Sequence, residues 1–433
     1  MKFKYHILTI AVVTFTLFSC QQEKSQITNV EDYESYITIK ENNTLALAEK
    51  EKTFWQEKLE AAPNQVSYFG PLALAHSTIF EYTGKIENLK QTEAYLLEAN
   101  ERVNYTSPGY LQALSRNYIS QHRFKEALAL LKKAEAIGDK LHITEKMLFD
   151  VYLELGNEKE AEQYLYAMKS FNDFDYLIRL SKWEDHKGNL NKAIFYMESA
   201  KLKAEEAKNE HLMLWSYTNL ADFYGHAGRI KDSYDHYLKA LAINPNYNYA
   251  LKGIAWIVFS HEKNTEEANR IIDQLITRNN APDLYLFKAD LAEYNNDFEG
   301  KKKYLNEYFS ILSANSEAYG DMYNSYNVEL YAENPNSIHQ AIALANKEID
   351  NRATAHSYAL LAWANYQDGN EKKALEIINQ HVEGKTFEPA VLYQMAEIYK
   401  ANGLENKLPT LKKELMASLY ELGPNKKVDI EKL

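Results

Sequence analysis

Cys20 is the sole cysteine of 433 residues. A thiol at one place has two uses: it attacks a substrate as thiolate, or it accepts a covalent group. The twelve histidines are scattered. Repeat spacing puts His226 and His236 on successive helices, where a metal pair is conceivable. Spacing supplies no third ligand, so both read as solvated side chains. Glu184 stands where a tyrosine stands at Tyr118 and Tyr152. A carboxylate there is a candidate acid or base, but an irregular repeat explains it more simply. No glycine-rich phosphate loop, no Gly-x-Ser-x-Gly elbow and no His-Glu-x-x-His helix occurs. The reading is therefore of a non-enzyme, with no catalytic residue, no cofactor and no metal.

The surroundings of Cys20 decide between its two uses. Lys2 and Lys4 precede an apolar stretch from Ile7 to Phe18, interrupted only by threonines. Twelve such residues suit a signal peptide and fall short of the roughly 20 a membrane-spanning helix needs. Leu17-Phe18-Ser19-Cys20 resembles the lipobox of bacterial lipoproteins, in which the cysteine is lipidated and becomes the first mature residue. Phe18 departs from the commonest residue at its position. The resemblance implies a signal peptide over 1–19, a lipid on Cys20 and no thiol left for a disulfide. The polar residues after it predict a tether over 20–44. Gln21 and Gln22, not Asp, follow the cysteine, which implies passage to the outer membrane, with the leaflet open. The Asn, Lys, Ile and Tyr richness, with Gln and Glu after the cysteine, looks like lipoproteins of the Bacteroidota.

Composition bounds the remainder. Hydrophobic residues are 45% of the chain, enough for a sizeable core, while 9 prolines and 15 glycines are few for a protein of many short strands. The formal charge of −12 becomes −14 if Lys2 and Lys4 are removed. An acidic surface repels phosphate backbones, so nucleic acid is not an expected partner.

The chain repeats itself. Leu114, Ser115, Tyr118, Ala127, Leu131 and Ala134 recur 34 positions later as Leu148, Phe149, Tyr152, Ala161, Leu165 and Met168. The register reappears at Leu180, Ser181, Gly188, Ala193, Met197 and Ala200, and again at Leu220, Ala221, Tyr224, Gly228, Tyr237, Ala240 and Pro245. Small residues mark where two helices cross closely, and glycine marks the left-handed end of a first helix. Asn157, Asn189 and Asn370 follow three of these glycines as candidate caps. This pattern resembles the tetratricopeptide repeat. The resemblance implies an all-α, right-handed superhelical solenoid of about ten tetratricopeptide-like helical hairpins over 68–423. Residues 45–67 would form an N-terminal capping helix, and 424–433 a loose tail.

In that family the first helix of each hairpin lines a concave groove. Carried over position by position, the groove holds Gln112, Arg116, Lys146, Asp150, Lys182 and His186 early. It holds Trp215, Asp222, Tyr249, Lys252, Trp256, Phe259, Tyr323, Tyr326, Trp363 and Tyr366 later. Of these, Trp215, Tyr249, Lys252, Trp256, Phe259, Tyr323, Tyr326, Trp363 and Tyr366 are the expected partner contacts. Trp256 and Phe259 are surplus to the packing set Leu251, Ile254, Ala255 and Val258, so they read as aromatic anchors. The function implied is a membrane-anchored interaction scaffold that holds another envelope protein, or a peptide segment of one. The alternative is a surface glycan-binding or nutrient-binding lipoprotein serving an outer-membrane transporter.

Overall fold

A computed structural model describes residues 26–433; the signal segment and Cys20 lie outside the described residues. All regular elements among the described residues are helical. Helices α1 (Val30–Thr38) and α2 (Asn43–Ala61) precede the array. The first hairpins are α3 (Phe69–Thr83) with α4 (Ile86–Arg102), and α5 (Pro108–Ser120) with α6 (Phe124–Ile137). Then come α7 (Leu141–Glu154) with α8 (Glu158–Ala167), and α9 (Phe174–His186) with α10 (Leu190–Glu206). The middle holds α11 (Glu210–His226) with α12 (Ile230–Ile243), and α13 (Asn248–Trp256) with α14 (Thr265–Ile276). Next are α15 (Asp283–Tyr294) with α16 (Phe298–Ala314), a short α17 (Ser316–Tyr319), and α18 (Asn324–Ala332) with α19 (Ile338–Asn351). The last pairs are α20 (Ala355–Gln367) with α21 (Glu371–Ile377), and α22 (Pro389–Ala401) with α23 (Leu408–Ala417). The chain ends in α24 (Leu419–Leu422) and α25 (Lys427–Glu431). No helix among the described residues is long and apolar enough to cross a membrane.

The repeat residues do what their sizes require. Ala127, Ala161, Ala193, Ala221, Ala240 and Ala374 are all fully buried between helices. Gly156, Gly188, Gly228 and Gly369 end first helices at φ between 72° and 79°, a region costly for a side chain. Hairpins that lack the glycine use His122, Lys263 or Asn296 at φ of 57–63° instead. Asn157, Asn189 and Asn370 do stand at helix starts, but their side chains make no capping bond, which corrects that expectation.

The solenoid winds until it meets itself. The Asn280 N–H donates to the Thr83 carbonyl at 3.0 Å. Gly156 lies against Thr354, Gly188 against Phe387, and Gly225 against Tyr420. Glu154 and Arg352, 198 residues apart, form an ion pair at 3.4 Å. Each of these contacts joins chain segments about 200 residues apart, which is six hairpins. Six hairpins thus make one superhelical turn, and the second turn stacks on the first.

Both ends differ from the sequence reading. The tether expected over 20–44 gives way from Asn29 to α1, whose Tyr33 (0% exposed) and Ile37 pack on α12 and α14. The Ile27 and Thr28 N–H groups donate to Glu262 Oε1 at 2.8 and 2.7 Å. Tyr33 Oη donates to Glu267 at 2.9 Å, and Arg270 pairs with Glu34 at 2.7 Å. The expected loose tail at 424–433 is packed as well: Pro424 is buried, and Ile430 is buried completely against the α22 and α23 core. Helix α2 covers α3 as a cap, with Trp55 against Tyr68 at 5.6 Å.

Candidate binding surface

First helices of successive hairpins stand side by side along the inner wall, and their charged residues pair with one another. Lys146 on α7 pairs with Asp175 on α9. Arg179 bonds Asp150 at 2.6 Å and Lys182 bonds Glu154 at 3.0 Å, while His186 meets Glu158 at the start of α8 at 3.0 Å. Burial works against the Glu154 carboxylate, but Lys182 and Arg352 together hold it below the ordinary range. This stretch is therefore a self-satisfied ladder, not a row of free contacts. Gln112 is also spoken for: it is buried and donates to Thr144 Oγ1 at 2.9 Å.

Arg116 is the exception. It has no acidic partner among the described residues, and burial lowers its pKa from the ordinary value. It borders an open cavity of about 540 Å³ between α3, α4 and α5. The lining is mostly small: Gly70, Ala73, Ser77, Gly109, Ala113 and Ser120, with the exposed Leu74 at its rim.

The expected aromatic contacts fall into separate groups. Trp215 is half-buried, edge-on to Phe174 at 6.1 Å. Tyr249 (46% exposed) donates to Asp222 Oδ2 at 2.6 Å, and Tyr237 donates to the same carboxylate. Burial raises the Asp222 pKa against those two bonds. Lys252 pairs with Asp283 at 2.6 Å, beside Tyr326 (49% exposed). Tyr323 is half-buried, its ring 6.0 Å from Tyr326 and 5.9 Å from Tyr308. A second cavity of about 270 Å³ includes Tyr247, Tyr249, Lys252 and Asp283 in its lining. Trp363 and Tyr366 are half-buried and pack together at 5.3 Å, with Tyr393 beside them at 6.2 Å.

Trp256 and Phe259 are not free anchors. Phe259 is 1% exposed, which corrects its reading as a partner contact. The cause is local: Ile257–His261 form a π-turn, whose extra residue rotates Phe259 into the core against Phe287 at 5.9 Å. Trp256 is half-covered by the chain's own C-terminal segment. Its Nε1 donates to the Tyr420 carbonyl at 2.9 Å, and Ser260 Oγ donates to the same oxygen at 2.6 Å.

That segment brings in residues the sequence reading missed. Asn425 Nδ2 donates to the Asp290 carbonyl at 3.0 Å. Burial and Glu293 push the Asp290 carboxyl up to about 7, against the pull of Lys301 and Lys426. Burial likewise raises Glu329, opposed by Lys426 and by a 2.9 Å bond from Gln394. The signal for this segment was Gly423-Pro424, a turn that ends helical periodicity without ending the fold.

The remaining candidates are structural. His236 is buried, corrects the solvated reading, and meets the Asp232 carbonyl at 2.8 Å through Nδ1. His226 lies 3.7 Å from Glu421. Glu184 accepts from Asn189 at 2.9 Å and faces Lys192 at 3.5 Å.

No protein-family model matches the chain, and no curated protein does. Solved structures with a similar fold include a human IFIT1 dimer with PPP-AAAA, at 16% identity over 73% of this chain and 71% of that one, TM-score 0.44. YrrB, a TPR protein with an unusual peptide-binding site, matches at 18% identity over 46% and 95%, TM-score 0.28. A Rap protein complexed with Competence and Sporulation Factor matches at 12% over 65% and 90%, TM-score 0.42.

Proposed function

We propose that this chain is a non-catalytic interaction scaffold, tethered through a lipid on Cys20 in a bacterial envelope of Bacteroidota type, at the outer membrane. It holds an extended segment of another envelope protein on its concave surface. The observation that carries the reading is the cavity at α3–α5. It is open and lined by small side chains that admit a peptide backbone, and Arg116 offers it an uncommitted cation. An unpaired, partly desolvated guanidinium gains most from a carboxylate on the incoming segment. The membrane anchor rests on the signal sequence and the single cysteine.

The glycan-binding alternative gains nothing from the tryptophans. Trp215, Trp256 and Trp363 pack edge-on or tilted against other rings, and Trp256 is committed to Tyr420. They do not form a flat stacking platform.

The test is capture from native envelopes with the lipidated chain and two variants, Arg116→Glu and Ala113→Trp. A specific partner should be retained by the native chain and lost with both variants, while thermal stability stays unchanged. Equal capture by all three would place the binding face elsewhere.

A further inference from the structure

We infer that residues 419–426, Leu-Tyr-Glu-Leu-Gly-Pro-Asn-Lys, are an internal ligand that closes the α11–α15 part of the concave surface and must leave before a partner reaches Trp256. This rests on the reading of the concave surface as the binding face.

Three observations carry it. The first is how the segment is held. Two groove side chains, Trp256 and Ser260, donate to one main-chain carbonyl, that of Tyr420. Asn425 reaches back to the main chain of α15. Bonds to main chain hold a crossing segment whatever its side chains are, as in peptide recognition.

The second is a pair of glycine seats. Gly225 in α11 leaves room for the Tyr420 ring, which a Cβ there would overlap. Gly423, at φ 78° and ψ 160°, lets the segment lie on the Trp256 ring, with a Cβ only 3.1 Å from Cη2. That conformation belongs to glycine almost alone.

The third is charge. Docking brings Glu421 beside Asp185 of α9 and Glu388 before α22, with the His226 imidazole of α11 at 3.7 Å from Glu421 and His186 of α9 also facing Asp185. Burial raises both the Glu421 and Asp185 carboxyls, Glu388 adds to each, and Asp185 adds to Glu421. A raised carboxyl favours the docked state at low pH, and that contribution is lost as pH rises through the raised values. The seat is thus loosened by its own charges as pH rises, while Lys426, facing Asp290 and Glu329, holds the far end.

The internal ligand also describes its competitor. A partner segment should carry an aromatic residue, Gly-Pro three residues on, and a cation two residues after the proline.

Amide hydrogen exchange on the full chain tests the device without any partner, so it is independent of the capture experiment. Gly225→Ala is the key variant: alanine favours the α11 helix, yet its methyl evicts Tyr420. Exchange at 419–426 should speed up at least tenfold, with α13 and α15 unchanged. In Tyr420→Ala, a fluorescein-labelled peptide of residues 417–427 should bind at least tenfold more tightly than to the native chain. If Gly225→Ala accelerates exchange across α11–α15 together, the segment is part of one cooperative core and the proposal falls. Equal peptide binding to both chains, or none to either, overturns it as well.

Discussion

Arg352, just past the end of α19, reaches across the superhelix to Glu154, 198 residues earlier, while its Nε bonds Glu348 in the last turn of α19 at 2.6 Å. Glu348 is almost wholly buried, and its other oxygen accepts from Asn324 at 3.1 Å. One guanidinium therefore neutralises a buried carboxylate and stitches two turns together.

Arg352→Ala should destabilise the fold by about 2–4 kcal/mol, because Glu348 would be left buried and unpaired. Arg352→Lys should recover part of that loss. Urea denaturation checks both. A change below about 0.5 kcal/mol for the alanine variant, the usual size of a surface effect, would mean the seam carries no weight.

Ala193→Leu and Ala374→Leu should each cost about 1–3 kcal/mol, since both sites are fully buried at helix crossings with no room to repack. Ala242→Leu, on the exposed face of α12, should stay within about 0.5 kcal/mol of the native chain. Melting curves distinguish the sites. Equal tolerance at all three would contradict close helix packing.

Asp290 sets a pH dependence. Its folded value of about 7 lies above the ordinary carboxylate range, so the folded state binds the proton more tightly. The stability it confers is complete below about pH 4 and is lost as pH rises through 7. Asp290→Asn should abolish that slope and stabilise the chain at pH 8, by an amount on the order of 2 kcal/mol. Parallel slopes in the two proteins between pH 5 and pH 8 would exclude this role.

Cys20→Ser should leave an unprocessed precursor that takes up no acyl label. Normal cleavage after Ser19 with retained acylation would end the lipoprotein reading. Labelled fatty acid and gel mobility read out both events.

Whatever depends on residues within one repeat of each other is readable from the chain's residues alone. Ala127 and Ala161 are small because two helices cross there, and Gly156 and Gly188 are glycine because the chain turns left-handed. Those constraints act over about 34 positions, so their period is visible in one chain. Helix α1 carries local signals of its own, the Asn29 cap and the Tyr33–Ile37 spacing, within otherwise polar surroundings. Which groove residues are free depends on long-range contacts. Phe259 turned inward because a π-turn shifts the helical register by one residue, a change no 3.6-residue pattern records. Trp256 is covered because Tyr420, 164 residues away, returns to the concave face. Such contacts depend on how tightly the superhelix closes, and that sums small angles over six hairpins, none of which is written at any single position.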